Sequence, residues 1–189
     1  MCGICGQLNF NGKSIQKDVI KRMCRKMAHR GPDDEGYYIR GSVGLGHRRL
    51  AIIDLSPAGH QPMSNQDRTV WIVYNGEVYN FPKLRKELES KGYRFRSNTD
   101  TEVILYLYEE LEEECLEKLN GMFAFAIWDE RKRKLFLARD RLGIKPLYYY
   151  LDSEKLLFAS EVRALLESGL MPKKLVFALI CNWEPSRSL

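Results

Sequence analysis

"MCGICGQLNF", residues 1–10, places a cysteine directly behind the initiator methionine and ahead of a run with the character of a strand. A small second residue permits removal of the methionine. Cys2 is then the N-terminus and carries a thiol and a free α-amine, a nucleophile and a base on one residue. Cys5 adds a C-x-x-C spacing, which raises the alternatives of a redox pair or half a metal site. If residues 3–10 form a strand, positions three apart face opposite sides of the sheet and the two sulfurs diverge. A structural zinc site also needs a second ligand pair, and the chain has three histidines with neither a further C-x-x-C nor an H-x-x-x-H-type pair. Cys5 therefore reads as a buried core thiol.

Composition narrows the classes. The chain has 189 residues, 44% apolar and 29% charged, enough for one globular core. No apolar run approaches the ~20 residues of a membrane span, and the start lacks the basic-then-apolar layout of a signal peptide. The expectation is a soluble, cytoplasmic protein with no membrane partner. Five cysteines, an odd number, fit a reducing compartment. The net charge of +5 is mild, and the basic cluster at residues 131–134 reads as a hairpin tip, so no nucleic-acid partner is expected.

Hydrophobic spacing places the elements. Residues 14–27 read as an amphipathic helix capped by Ser14, with Ile15, Val19, Ile20, Met23, Cys24 and Met27 on one face. "HRGPDD" stops it, because glycine and proline break helices. Short strands are expected at residues 36–39, 42–45, 47–53 and 69–74, and a helix at 81–91 capped by Asn80. A third helix opens at "TDTEVILYLYEEL", where Thr99 and Glu102 have capping-box spacing and Val103, Ile104, Leu107, Tyr108 and Leu111 form the apolar face. "MFAFAIWD" and "KLFLARD" are strands joined by a charged turn, followed by strands at 147–150 and 155–159. This order suggests stacked antiparallel sheets with helices outside them.

Four segments carry candidate chemistry: Cys2; "GHRRLAIIDLS", whose Arg48 and Arg49 point to opposite sides of a regular strand; "YNGEVYN"; and Asp100. Taken singly, Asn75 and Gly76 read as a hairpin turn, Asp100 as a helix-dipole charge, and Arg49 as a surface cation.

Read jointly, they resemble the class II glutamine amidotransferase domain, in particular the N-terminal glutaminase domain of asparagine synthetases. The resemblance rests on "MCGI", "HRGPDDEG", "GHRRLAIIDLS", "QPM", "YNGEVYN", "SNTDTEVIL", "LNGMFAFAIWD", "RDRLGIKPLYY" and "FASEVRAL", from residue 2 to about 166. It implies an α+β fold, the four-layer αββα sandwich of two antiparallel sheets flanked by helices known as the N-terminal nucleophile hydrolase fold. It implies glutamine as substrate and Cys2 as the nucleophile that forms a thioester and releases ammonia. The Asn75 side chain and the Gly76 N–H would hold the oxyanion. Arg49, not Arg48, would clamp the α-carboxylate, and Asp100, aided by Glu77, the α-ammonium. Backbone groups along Leu50 to Ile52 would complete the pocket, with His29, Arg30 and Asp33 as supports.

The resemblance also implies a synthetase domain or partner chain that receives the ammonia. Residues 2–166 are expected to form the glutaminase domain, and residues 167–189 a tail or the start of a missing synthetase domain. No S-G-G-x-D-S or G-x-x-x-x-G-K loop occurs in the sequence. No metal or cofactor is expected here; ATP and magnesium are expected only for the synthetase domain. An excised domain, a truncated gene product and a stand-alone glutaminase remain open, as does a catalytically idle interaction module. "RDRLGIKPLYY" and "FASEVRAL" lie far in sequence from every residue given a chemical role and read as hairpin and core. Were this face to dock a synthetase domain, it would expose an apolar patch.

Overall fold

Strand β1 (Gly3–Asn9) sets the layering through its alternating side chains. Ile4 faces one apolar cluster and Cys5 another, as period-2 alternation requires. In the computed structural model, which describes residues 1–172, β1 is the central strand of a five-stranded antiparallel sheet. Its neighbours are β3 (Val43–Arg49) and β9 (Lys155–Ala159), with β2 (Asp34–Arg40) and β8 (Tyr148–Leu151) at the edges. Gly6 has no room for a side chain, since a Cβ there would come within 2.4 Å of the Phe158 ring on β9.

A second antiparallel sheet holds β4 (Met63–Ser64), β5 (Val70–Val78), β6 (Gly121–Asp129) and β7 (Lys134–Arg139) in that order. Ile4, Leu45, Val73, Ala126 and Phe158 pack between the sheets. On the outer face of the first sheet lie α1 (Lys17–Lys26) and α5 (Val162–Glu167), joined to it through Val19, Ile20, Met23 and Leu165. On the outer face of the second lie α2 (Phe81–Ser90) and α3 (Asp100–Leu111), through Leu84, Leu88, Val103, Ile104 and Leu107. A short α4 (Cys115–Lys118) leads into β6. The four layers are helix, sheet, sheet, helix, the expected αββα sandwich.

Several local expectations are corrected. α1 begins at Lys17, not residue 14, because the Ile15 N–H is taken by the Gly41 carbonyl at 2.8 Å, which keeps that segment extended; Gln16, not Ser14, is at the N-cap. The strands expected at 42–45 and 47–53 are one strand that stops at Arg49. In α3, Thr99 accepts the Glu102 N–H, but the Glu102 carboxylate turns away and accepts from the Ser97 N–H at 2.8 Å and the Arg96 N–H at 3.0 Å. Half of the capping box is therefore present. Every residue from Asp100 to Tyr108 is buried, so α3 has no exposed face over that length. The expected tail starts in the last turn of α5, and residues 173–189 of it lie outside the described residues. Among the described residues no helix is long and apolar enough to cross a membrane.

His47 ties the two sheets: its Nε2 lies 3.0 Å from the Tyr74 carbonyl, while Nδ1 is buried without a partner. Burial pushes the imidazole down from 6.5 to about 3, against the opposing pull of that carbonyl. Between those two values the unfolded chain binds a proton that the folded chain does not, so stability falls as pH falls. Urea melts at about pH 7 and about pH 5 should show a loss near 2 kcal/mol from this group. His47→Gln should flatten the pH slope by that amount, and an unchanged slope would show that His47 protonates freely in the fold.

Candidate active site

The start of β1, the end of β3, the middle of β5 and the start of α3 converge on a cavity of about 180 Å³. Cys2, Arg49, Leu50, Ile52, Asn75, Gly76, Glu77 and Asp100 all line it. The Cys2 sulfur accepts the Leu50 N–H at 3.4 Å. Burial pushes its thiol up; the Leu50 N–H, the terminal amine and Arg49 oppose this, and Asp100 adds to it. Cys5, by contrast, lies in the helix-facing core with its sulfur 3.4 Å from that of Cys24, so the two sulfurs of the C-x-x-C do diverge.

Asn75 and Gly76 are not a turn. They sit within β5, paired with Ala124 and Phe123 of β6. Asn75 is buried, and its Nδ2 has no hydrogen-bond partner among the described residues. A buried donor of this kind costs free energy unless something fills it. Gly76 admits no side chain, since a Cβ would lie 2.5 Å from the Met122 carbonyl oxygen and 2.8 Å from Phe123 Cα.

The loop after β3 is wrapped around Arg49. Its Nη1 donates to the Ser56 carbonyl at 2.9 Å and its Nη2 to the Asp54 carbonyl. The Asp54 carboxylate fixes the loop in turn, accepting from Ser56 N at 2.8 Å and Asn98 N at 2.9 Å; the Ser56 side chain and then these two N–H groups hold it below the usual carboxylate range. Gly59 leaves the space for the guanidinium, as a Cβ there would lie 2.1 Å from Nη2. Arg48 points the other way, to the Gly31 carbonyl at 3.0 Å and the Glu35 carboxylate.

Asp100 is buried at the start of α3. One carboxylate oxygen accepts from the Tyr74 hydroxyl at 2.6 Å and the Val78 N–H at 3.0 Å. Burial raises its pKa, and these bonds pull it back. Glu77 stands exposed at the rim, and Ile52 is also exposed. Of "HRGPD", Arg30 donates from Nε to the Cys2 carbonyl at 2.9 Å and Asp33 accepts the Ala51 N–H at 2.8 Å, while His29 contacts Glu161 instead of the cavity.

Sequence reasoning missed three contributors. Lys145, buried on the turn after β7, lines the cavity with its Nζ 3.4 Å from the Met1 sulfur, and no carboxylate pairs with it among the described residues. Asp140 folds that turn by accepting the Phe123, Ile144 and Lys145 N–H groups. Glu161 touches Arg30 at 3.2 Å and so stands one residue removed from Cys2. "RDRLGIKPLYY" and "FASEVRAL" thus reach the site. Their own unexplained match to the family was the signal. Among the described residues no group of three or more His, Cys, Asp or Glu side chains is placed to hold a metal ion.

A family model described as a glutamine amidotransferase domain matches residues 1–180. The chain belongs to this family. It is similar to asparagine synthetase [glutamine-hydrolyzing] 1 of Bacillus subtilis, with 47% identity over 169 residues, 88% of this chain and 27% of that protein. It is also similar to the putative asparagine synthetase [glutamine-hydrolyzing] 2 of Methanocaldococcus jannaschii, with 44% identity over 192 residues, 92% of this chain and 36% of that protein. The amidotransferase domain therefore spans about a third or less of the curated relatives it matches. Its fold is shared with the glutamine phosphoribosylpyrophosphate amidotransferase of B. subtilis, with a TM-score of 0.76 at 22% identity over 89% of this chain and 44% of that one. The amidotransferase fold is the N-terminal nucleophile hydrolase sandwich that the sequence implied.

Proposed function

We propose that this domain hydrolyses the side-chain amide of glutamine and passes the ammonia to an acceptor domain. The observation that carries the reading is a single cavity holding a thiol, a buried donor without a partner, a guanidinium and a carboxylate, which together match an amide flanked by a zwitterion.

Removal of Met1 places an α-amine, of pKa ~8, on the residue that carries the thiol. Because burial raises the thiol pKa, a base must take its proton, and this amine is within reach directly or through one water. The sulfur attacks the amide carbon. The oxyanion that forms takes hydrogen bonds from Asn75 Nδ2 and the Gly76 N–H. Collapse, with a proton delivered from the α-amine to the leaving nitrogen, releases ammonia and leaves a thioester. Water, deprotonated by the same amine, then gives glutamate and the free thiol. Arg49 holds the α-carboxylate, and Asp100 and Glu77 hold the α-ammonium.

On this reading the acceptor resembles the rest of the asparagine synthetases, aspartate is amidated there, and ATP and magnesium serve that domain. The surface supports an acceptor. Leu142 is 85% exposed and Ile144 53%, at the tip of the turn that carries Lys145. Tyr148, Tyr149 and Val162 are likewise exposed, along β8 and at the start of α5.

Intact-protein mass spectrometry before and after treatment with a diazo-ketone glutamine analogue tests the reading. Loss of Met1 and one covalent adduct on Cys2 are expected. A processed chain that takes no adduct would be the idle interaction module instead. The clamp has its own test. Arg49→Lys should raise KM for glutamine by roughly tenfold or more, because an ammonium cannot hold the loop carbonyls and a carboxylate together. Arg48→Lys should stay within about twofold. Equal effects at the two positions would remove Arg49 from the substrate site.

A further inference from the structure

"FASEVRAL" has no part in the chemistry above, yet it grips the strand that carries the nucleophile. Ser160 binds Ile4 twice: its N–H donates to the Ile4 carbonyl at 2.8 Å, and its hydroxyl accepts the Ile4 N–H at 3.0 Å. Glu161 is at the N-cap of α5, where a short polar side chain ordinarily accepts a hydrogen bond from its own helix, but it caps nothing there. Its carboxylate instead reaches Arg30 Nη1 at 3.2 Å, together with His29 at 2.9 Å and Arg163. Arg30 is nine-tenths buried, and its Nε donates to the Cys2 carbonyl at 2.9 Å. Among the described residues its Nη2 has no partner, and the Cys2 carbonyl and Glu161 are the hydrogen-bond partners of this guanidinium. The cations on Glu161 hold it below the usual carboxylate range despite burial.

We infer that Glu161 is a positioning residue for the nucleophile, acting through Arg30 to fix the Cys2 backbone so that the sulfur stays against the Leu50 N–H and faces the amide. A planar guanidinium held at one edge by a carboxylate presents its Nε–H in one direction only. Without the carboxylate, a buried cation loses its counter-charge and turns toward water. The Cys2 carbonyl then loses its anchor, and a displacement of about 1 Å at a reacting atom costs up to a hundredfold in rate.

The inference rests on the glutaminase reading, and two readouts separate them. In the first, mass spectrometry follows the rate at which Cys2 is labelled by the diazo-ketone glutamine analogue and, separately, by iodoacetamide. Glu161→Gln should slow the analogue by roughly ten- to a hundredfold, with iodoacetamide labelling unchanged or faster, a ratio that partial unfolding does not produce. Arg163→Gln, which removes a different partner of the same carboxylate, should stay within about twofold. Combining Glu161→Gln with Arg30→Gln should be no worse than Arg30→Gln alone, as expected of one chain of contacts. Glu161→Asp, which keeps the charge but shortens its reach, should fall between the wild type and Glu161→Gln and serves if the latter folds poorly.

In the second readout, hydrogen exchange of the N-terminal peptide should quicken in Glu161→Gln while β6 stays protected. Analogue labelling of Glu161→Gln at the wild-type rate, additive losses in the double variant, or unchanged exchange at residues 2–9 would each overturn the inference. A wild-type Cys2 that ignores the glutamine analogue would overturn the glutaminase reading instead, and exchange would still decide the role of Glu161.

Discussion

Cys2→Ala is expected to remove glutamine hydrolysis by a factor on the order of ten thousand or more, because no other group lining the cavity combines a nucleophile with a base. Cys2→Ser should be nearly as severe, since a hydroxyl is far harder to ionise than a thiol. The fold should survive both changes: Cys2 lies outside β1, and among the described residues the hydrogen bonds of its sulfur are to the Leu50 backbone. The remaining described cysteines give the contrast. Cys5, Cys24 and Cys115 are fully buried in cores away from the cavity. Alanine at any of them should lower the melting temperature but keep kcat within a few-fold at low temperature. Ammonia release coupled to a dehydrogenase, with circular dichroism for the fold, checks the series. Substantial hydrolysis by purified Cys2→Ala would overturn the mechanism, and a loss at Cys5→Ala equal to that at Cys2→Ala would restore the C-x-x-C pair as the functional unit.

How much of this was readable in advance depends on how local the physics was. β9 occurs at the residues its apolar alternation marked, and β6 and β7 within a residue or two of theirs, because each buries a face against a neighbouring layer. β3 ends before its strand-like composition does, for a specific reason. "RLAIID" has strand composition, but the buried Arg49 guanidinium needs acceptors, and the carbonyls of Asp54 and Ser56 supply them only if the chain leaves the sheet and curls back. Spacing gives α3 one apolar stripe, whereas the 93–99 segment folds over its outer side through Glu102 and Tyr106. A charge or ring recruited by a distant segment overrode local periodicity in both cases.

The site divides in the same way. Cys2, Arg49, Asn75, Gly76 and Asp100 stand in short motifs that point to chemistry once they are read jointly, and the structure brings all five to one cavity. Lys145 and Glu161 had no such announcement. Lysine and glutamate are abundant on any surface, and what singles these two out is where the chain brings them: Lys145 to the cavity lining, and Glu161 to Arg30, 131 residues away along the chain. What placed Glu161 was topology: β9 lies beside β1, so the segment following β9 arrives next to the start of β1.

Asn75→Ala should separate function from stability more cleanly than any other change. The Asn75 amide is buried with its Nδ2 unsatisfied, so the folded protein already bears the desolvation of a donor that gains nothing in the resting state. Removing it should cost little folding stability, within about 1 kcal/mol in a urea melt, since the lost packing is offset by relief of that unsatisfied group. Catalysis should respond very differently. The donor acquires a partner only when the amide oxygen becomes an oxyanion, so it contributes to the transition state and not to glutamine binding. The expected result is a fall in kcat of roughly a hundred- to a thousandfold, about 3–4 kcal/mol, with KM changed little. Asn75→Asp should be at least as damaging despite its matching shape, because a carboxylate offers the oxyanion a like charge in place of an N–H. A loss confined to KM, or a kcat within about tenfold of wild type in Asn75→Ala, would mean that the buried amide serves to bind glutamine or to shape β5, and that the Gly76 N–H and another donor hold the oxyanion.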